Sequence, residues 1–132
     1  MLLNRSAFYP TSGGQVHDTG VMIIGEKKYE VVSVEKVGRC FLHHLNEPVE
    51  KEKVMGLPVK GYIDEERRST LRSFHTGTHI VYAAARRVLG PHVWQHGAKK
   101  TVDYAHIDIT HYASLTKELE MKIENEANKI IL

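Results

Sequence analysis

Residues 64–90, DEERRSTLRSFHTGTHIVYAAARRVLG, predict a long helix. Asp64 is a typical N-cap residue, and Gly90-Pro91 supplies the left-handed residue and the breaker with which helices end. Between these signals, apolar residues recur at the spacing that lines one helical face. They are Leu71, Phe74, Val81, Ala85 and Val88. We therefore expect one central helix over residues 64–90.

The stretch before this helix alternates apolar and polar residues, as strands do. From Val21 to Asp64 the apolar runs are VMII, YEVVSVEKV, CFLHHL and PVKGYID. They are separated by Gly25-Glu26, Gly38-Arg39 and the polar stretch from Asn46 to Lys53. Breaks this short favour antiparallel hairpins or a meander.

More strand and a last helix are predicted after the central helix. His92 to Thr110 alternates again, with an expected break at Gly97-Ala98. The final helix begins at Ser114 or Thr116, either of which can cap it. Its apolar stripe is Leu119, Ile123, Ala127 and Ile130. The predicted fold class is α+β: an antiparallel or mixed sheet, partly barrel-like, packed with one long central helix that carries HTGTH and with a C-terminal helix.

Length and composition favour one domain. The chain has 132 residues, 42% of them hydrophobic, which suits a single compact domain over residues 1–132. Its first residues enter an apolar stretch directly and its last ones stop inside a helical pattern, so we expect truncation at both ends. We find no apolar run long enough to span a membrane and no signal peptide, and so expect a cytoplasmic protein with no membrane partner.

The charge composition limits how this chain could bind nucleic acid. Eighteen Lys+Arg against sixteen Asp+Glu give a net charge of +2, too little for binding through overall charge. Any RNA contact must therefore come from a local cluster of basic residues. The alternative is that these cations only keep exposed helix faces solvated. The candidates are Arg67, Arg68, Arg72, Arg86, Arg87, Lys99 and Lys100.

The helix motif HTGTH places His75 and His79 one turn apart on the same side. Such a pair can bind one metal ion, and zinc accepts imidazole nitrogen. Spacing alone leaves a metal site and two partly buried polar histidines equally open. Thr76 stands where zincin proteases carry their glutamate base, which argues against a zinc protease.

A glycine-rich loop over residues 8–20 reads FYPTSGGQVHDTG. Gly13 and Gly14 allow backbone angles closed to other residues and let amide groups approach a ligand closely. A tight turn packed under two aromatic residues explains the same letters. The loop is not a nucleotide-binding P-loop, because no Gly-Lys-Ser/Thr follows.

The segment GPHVWQHG follows the helix directly, over residues 90–97. Strand alternation there would put His92, Trp94 and His96 on one face and Val93 and Gln95 on the other. Trp94 is either a core residue or a stacking platform for a terminal base.

Together, these features resemble the editing domain of alanyl-tRNA synthetases of an archaeal-like kind. The matching letters are FYPTSGGQ with DTG, then HTGTH, then VLGPHVWQHG, an Asp-containing strand and the helix segment IENEAN. Free-standing proteins that edit mischarged tRNA(Ala) are similar over the same motifs. An accessory domain of threonyl-tRNA synthetases shares the histidine motif but fits less well, because the glycine loop and the GPHVWQ segment are typical of the alanyl group.

The resemblance implies hydrolysis of the ester in tRNA(Ala) whose acceptor end carries serine or glycine. It implies one zinc ion with His75 and His79 as its first two ligands, and a C-x-x-x-H motif, expected beyond the end of this chain, as the other two. It also implies that the remaining synthetase domains lie in cis, where alanine is attached with ATP. The alternatives are a free-standing trans-editing deacylase and, for this chain alone, a non-catalytic module that binds the tRNA acceptor end.

The resemblance and the available polar side chains also predict the site residues. Gln95 matches a glutamine of the family's editing pocket, and Thr11 to Gln15 match its glycine-rich loop. Thr11 stands where relatives often have an acidic residue, and AHIDI replaces an L-R-F-D-F pattern in which Asp108 keeps its place. The predicted catalytic residues are Gln95, Thr11, Ser12 and Asp108. The predicted substrate or tRNA contacts are Gly13, Gly14, Gln15, Thr76, Thr78, Arg72, Lys99 and Lys100.

Overall fold

A computed structural model describes residues 1–131. They form two compact units, Met1–Thr70 and the residues from Leu71 onward. Each unit has a hydrophobic core of its own. No helix within the described range is long and apolar enough to cross a membrane.

The first unit is built on a four-stranded sheet in the order β3-β2-β1-β4, antiparallel throughout. The strands are β1 (Gly20–Ile24), β2 (Lys27–Val37), β3 (Cys40–Leu45) and β4 (Val59–Ile63). Before β4 lies helix α1 (Lys51–Val54), a single turn that the alternation pattern does not predict. The strands predicted between residues 21 and 64 are confirmed, and within residues 1–131 this sheet stays open, with β3 and β4 at its edges.

A bulge in β2 decides which side chains reach the first core. Its pairing with β3 shifts between Val31 and Ser33, so that Val31 lies opposite Leu45 and Val34 opposite His43. Val31 and Val34 are both buried although they are three positions apart. Plain alternation would send one of them to solvent, whereas the extra residue of a bulge brings both to one face.

Phe8 extends the first core into the glycine-rich loop. Its side chain is buried with Met22, Val31 and Val34. A Cβ on Gly61 would lie 2.8 Å from the Phe8 ring, closer than carbon atoms pack, so β4 needs glycine here.

A buried carboxylate fixes the base of the same loop. The Asp18 side chain has no exposed surface and accepts the Tyr9 N–H at 2.6 Å. Arg68 donates to it from Nε at 2.9 and 3.1 Å and also from Nη2, and Nη2 donates to the Ala7 carbonyl at 2.9 Å. The ion pair raises the pKa of Arg68, so the guanidinium stays charged.

The central helix, α2, spans Glu65–Leu89. The Arg67 N–H donates to Asp64 Oδ1 at 3.0 Å, which confirms the predicted N-cap. Gly90 follows the helix with a φ of 115°, in the region that favours glycine.

The second unit contains a β-hairpin and helix α3 besides the residues of α2 from Leu71 onward. The hairpin pairs β5 (Gln95–Lys100) with β6 (Ala105–Ile109), and α3 spans Lys117–Ile131. The Thr116 hydroxyl accepts the Leu119 N–H at 3.3 Å, so Thr116 is the cap. Five buried residues form the second core: Ala84, Ala85, Val93, Ile123 and Ala127.

The predicted α+β class, the long helix and the C-terminal helix are confirmed. The predicted strand break at Gly97-Ala98 is wrong, because β5 runs through both residues. The irregularity is a pairing shift between Gln95 and Gly97, and the reversal comes later, where the Thr101 N–H donates to the Tyr104 carbonyl at 2.9 Å. A bulge accommodates an extra residue without ending the strand.

His43 is a buried polar residue in β3. Its Nδ1–H donates to the Met1 carbonyl at 3.2 Å, because a carbonyl only accepts, and Nε2 then accepts the Ser6 hydroxyl at 2.7 Å. Both ring nitrogens are thus satisfied in the neutral form. Burial lowers the pKa of His43 below the ordinary histidine value.

Removing the Asp18 carboxylate should strongly destabilise the first unit. We expect Asp18→Ala to lower the unfolding free energy by about 3–5 kcal/mol, because it leaves Arg68 without its partner. Urea unfolding followed by circular dichroism measures the change. Glu47→Ala is the matched control, since it breaks the exposed Lys27–Glu47 pair and should cost less than about 1 kcal/mol. Equal effects of the two substitutions would contradict this assignment.

Acidification should destabilise the protein through His43. The unfolded histidine, with a pKa of about 6.5, binds a proton more readily than the folded one, so the unfolding free energy falls as the pH drops below about 6.5 and is regained as it rises. Urea midpoints across this range measure the slope. His43→Gln should flatten the slope, whereas His96→Gln, at an exposed position, should leave it in place. An unchanged slope in His43→Gln would refute the role of this residue.

Candidate functional site

The glycine-rich loop contains a tight two-residue hairpin. The Ser12 N–H donates to the Gln15 carbonyl at 3.0 Å, and the Gln15 N–H donates back to the Ser12 carbonyl at 2.9 Å. Gly13 and Gly14 sit at the turn with φ values of 57° and 74°. Positive φ at both central positions is the hallmark of the type I′ turn, which explains the paired glycines.

Several groups of this loop are used inside the first unit. The Thr11 N–H donates to the Val34 carbonyl at 3.1 Å, so three amides of residues 11–15 bond to backbone carbonyls. His17 Nε2–H donates to the Val32 carbonyl at 3.1 Å, and in the neutral ring Nδ1 accepts the Thr11 hydroxyl at 3.0 Å. The Thr11 oxygen also accepts the His17 N–H at 3.2 Å. The predicted catalytic hydroxyl of Thr11 is therefore occupied by His17.

In the second unit, the two rings of the histidine pair lie close together on one side of α2. The ring centroids of His75 and His79 lie 5.2 Å apart with an interplanar angle of 33°. Two imidazoles on one tetrahedral zinc, with bonds of about 2.0–2.1 Å, would place their ring centres roughly 5 Å apart. The centroid distance of the pair is therefore the one that two zinc ligands would have. Within residues 1–131, no group of three or more His, Cys, Asp or Glu is placed to hold a metal ion.

The surroundings of His75 favour its neutral form. Burial lowers the pKa of His75, and the positive charge of Lys100 and the His79 ring lower it further. Lys100 is itself only 2% exposed, and burial lowers its pKa. An imidazole must be unprotonated to bind a metal ion, so the lowered pKa of His75 suits a metal-binding residue.

The polar neighbours of the histidines differ in availability. Thr78 is buried and donates its hydroxyl to the His75 carbonyl at 2.8 Å, a bond within the helix. Thr76 and Arg72 are exposed. Of the three substrate or tRNA contacts predicted on α2, these two are exposed and Thr78 is not.

The hairpin places Gln95 and Asp108 on exposed positions. Gln95 lies opposite Ile109, and Asp108 opposite Gly97. A Cβ on Gly97 would lie 2.8 Å from Asp108 Oδ2, so the carboxylate packs directly over the glycine. Its other neighbour is His106, whose Nε2 lies 3.9 Å from Oδ2.

The seven predicted RNA-contacting cations divide into two groups. Arg67 and Arg68 bond inside the first unit, to the His17 carbonyl and to Asp18, and Lys100 is buried. Arg72 and Lys99 are exposed, Arg87 pairs with Glu126 at 3.0 Å, and Arg86 lies over the Trp94 ring at 4.6 Å from its centroid. Composition cannot make this separation, because it follows from which carboxylates and carbonyls are near.

Comparison with known proteins agrees with the motifs. The family model for class II (A) tRNA synthetases matches residues 1–67. The chain belongs to this family. It is 49% identical over 131 residues to the alanine–tRNA ligase of Ignicoccus hospitalis, which covers 99% of the chain and 14% of that relative. The corresponding ligases are 47% identical over 131 residues in Staphylothermus marinus, with 99% and 14% coverage, and 46% over 133 residues in Saccharolobus islandicus, with 99% and 15%.

This class II synthetase chain thus spans about one seventh of the length of the curated relatives it matches. The sequence prediction did not foresee Lys100 as the charge beside His75, nor His17 as the partner of Thr11. Lys100 lies 25 positions from His75, and His17 lies six positions from Thr11 across the glycine-rich loop. No local spacing signal marks such pairs.

Replacing Gly14 should destabilise the loop turn. We expect Gly14→Val to lower the unfolding free energy by about 1–2 kcal/mol, because a branched side chain is strained at positive φ. Gly14→Asn is the matched control and should cost less, since asparagine tolerates this region. Urea unfolding measures both. Equal stability of the valine variant and the parent chain would show that the turn does not require glycine.

Proposed function

We propose that this chain hydrolyses the ester of tRNA(Ala) mischarged with serine or glycine, and so edits the product of an alanine–tRNA ligase. The His75–His79 geometry carries the proposal: two imidazoles on one helix whose ring centroids lie 5.2 Å apart, a separation that suits two ligands of one zinc ion. The resemblance in motifs, and relatives named alanine–tRNA ligases over 99% of the chain, support it.

A physical argument explains why such a site is needed. A binding pocket can rarely reject an added hydroxyl by more than about a hundredfold. Distinguishing serine from alanine therefore requires a second, hydrolytic site. A site built to hydrogen-bond the serine hydroxyl discriminates strongly against alanine, because its own polar groups stay unpaired with the wrong substrate.

Zinc is the metal that we assign to the histidine pair, with further ligands expected outside residues 1–131. When bound, it would polarise the ester carbonyl or lower the pKa of the attacking water. In the reaction, water adds to the ester carbonyl, the bond from the acyl carbon to the ribose oxygen breaks, and that oxygen takes a proton. The products are free amino acid and tRNA with its ribose hydroxyl restored.

The residues of the second unit have separate tasks in this proposal. Burial and the Lys100 charge keep His75 unprotonated, and the same ammonium would favour the negative charge that develops on the carbonyl oxygen when water adds. Thr76 and Gln95, both exposed, are the side chains that we assign to the serine hydroxyl. Thr78 is not assigned, because its hydroxyl bonds within the helix. Roles for Ser12, Gln15 and Asp108 stay predictions from the family resemblance.

The wider setting is part of the proposal. In the full-length protein, other domains would attach alanine to tRNA(Ala) with ATP, and this chain would correct their errors. A free-standing deacylase would act on the same ester without those domains. The non-catalytic alternative has one observation in its favour: within residues 1–131 no group of three or more His, Cys, Asp or Glu is placed to hold a metal ion, whereas zinc usually takes four ligands.

Replacing His79 should abolish both zinc binding and editing. We expect His79→Ala to reduce deacylation of Ser-tRNA(Ala) by the full-length protein at least about a hundredfold, as removal of a metal ligand does. The loss should come with zinc content falling well below that of the parent protein. Deacylation kinetics and atomic absorption measure the two effects.

His44→Ala is the matched control, because His44 is a partly buried histidine outside the helix. It should retain zinc and activity. Undiminished deacylation in His79→Ala would exclude the zinc role, and failure of the parent protein to deacylate Ser-tRNA(Ala) would favour the non-catalytic alternative.

A further inference from the structure

A cluster of four aromatic rings and one arginine in the second unit has no part in the proposed hydrolysis. We define it as the aromatic platform: Arg86, His92, Trp94, His111 and Tyr112. Trp94 is 61% and Tyr112 86% exposed. Large aromatic side chains gain more than most from burial, so two of them left in solvent on one unit require an explanation.

The exposure of Trp94 is enforced by the backbone. Val93, the preceding residue, is completely buried in the second core. The backbone N–H of Trp94 donates to Thr110 Oγ1 at 3.0 Å, and the backbone carbonyl of Trp94 accepts the Thr110 N–H at 2.8 Å. Because the backbone is held on both sides and Val93 points inward, the indole must point outward.

The Arg86 guanidinium covers part of the indole and is itself fixed. It lies 4.6 Å from the Trp94 ring centroid. It donates to the Tyr82 hydroxyl at 3.2 Å and to the Pro91 carbonyl at 3.2 Å. A guanidinium held over an indole forms a rigid, positively charged stacking surface.

The other rings of the platform stack on one another. His92 Nε2 and His111 Nδ1 lie 2.9 Å apart, and the two ring centroids 5.1 Å apart at 25°. The Tyr112 ring lies 4.3 Å from His111 and 5.3 Å from His92. Thr110 ties this group to Trp94, since its hydroxyl donates to the His92 carbonyl at 3.4 Å while accepting the Trp94 N–H.

The stretch of sequence that contains Arg86, His92 and Trp94 is rich in positive charge. Residues 67–102 contain seven Lys and Arg and no Asp or Glu, although the whole chain has a net charge of only +2. Arg68 and Arg87 are paired with carboxylates, but Arg72, Arg86 and Lys99 have no carboxylate of residues 1–131 within 4.0 Å. Such a stretch attracts an anionic backbone without overall basicity.

We propose that the aromatic platform binds unpaired nucleotides of single-stranded RNA by stacking their bases on Trp94 and Tyr112. Exposed rings beside a cation, here Arg86, are a combination with which proteins bind single strands irrespective of sequence. The inference rests on the proposed function for its choice of RNA, since a tRNA acceptor end offers unpaired bases. The platform binds the strand, and hydrolysis is assigned elsewhere in the unit.

The chain provides its own probe, because Trp94 is its single tryptophan. We expect a short single-stranded RNA to quench the Trp94 fluorescence saturably, with affinity falling as salt rises. A blunt duplex of the same sequence should quench much less, because its bases are already stacked on each other. A matched anisotropy titration with labelled single-stranded RNA gives the affinity of variants that lack tryptophan.

In that titration Trp94→Ala should weaken binding by about fivefold to a hundredfold, the loss typical of one stacked base. Trp94→Phe keeps an aromatic ring and should restore most of the affinity. Tyr112→Ala should also weaken binding while leaving the indole in place to report it. Tyr62→Ala is the control, since Tyr62 is 57% exposed in the first unit, and it should bind like the parent chain.

Unchanged affinity in both Trp94→Ala and Tyr112→Ala would overturn the proposal, as would equal quenching by the blunt duplex. Concentration-dependent dimerisation abolished by Trp94→Ala, without RNA binding, would overturn it in favour of a protein interface. Deacylation without RNA-dependent quenching would refute the platform and leave the proposed function intact. Trp94-dependent RNA binding without deacylation would support the platform and count against hydrolysis.

Discussion

The buried ion pair of Asp18 and Arg68 holds the first unit's irregular segments in place. Glycine-rich loops lack the side-chain packing that fixes a strand, so residues 8–20 need another restraint. A fully buried carboxylate supplies it by accepting from the Tyr9 amide and from the guanidinium of the first turns of α2. Because an unpaired charge there would be very costly, the loop has one stable arrangement.

The second unit uses charge in a different way. Burial lowers the pKa of His75, and the positive charge of the buried Lys100 side chain lowers it further. The charge of Lys100 thus disfavours protonation of His75. A metal ion or a proton-transfer step requires an unprotonated imidazole. In the first unit, by contrast, buried charges of opposite sign stabilise each other.

The two proposals for the second unit involve different physical properties of its surface. The histidine pair on α2 offers nitrogen donors at chelating distance. The aromatic platform offers ring faces and a fixed guanidinium, which recognise bases and not esters. An enzyme acting on a charged RNA end needs both kinds of group, one for the bond that breaks and one for the strand that carries it.

Short-range sequence patterns were sufficient to predict most helices and strands of this fold. The Asp64 cap, the apolar spacing of α2 and α3 and the alternation of β1 to β4 follow from short-range preferences, and so do the Gly13-Gly14 turn and the spacing of His75 and His79. Tertiary structure alone decided the β2 bulge, the occupation of the Thr11 hydroxyl by His17, the burial of Lys100 and the exposure of Trp94. The bulge and the burial of Lys100 depend on pairing and packing with other segments, which override what alternation and residue type predict. The Thr11–His17 bond and the outward Trp94 depend on how the loop is folded and on which face of the segment packs into the core.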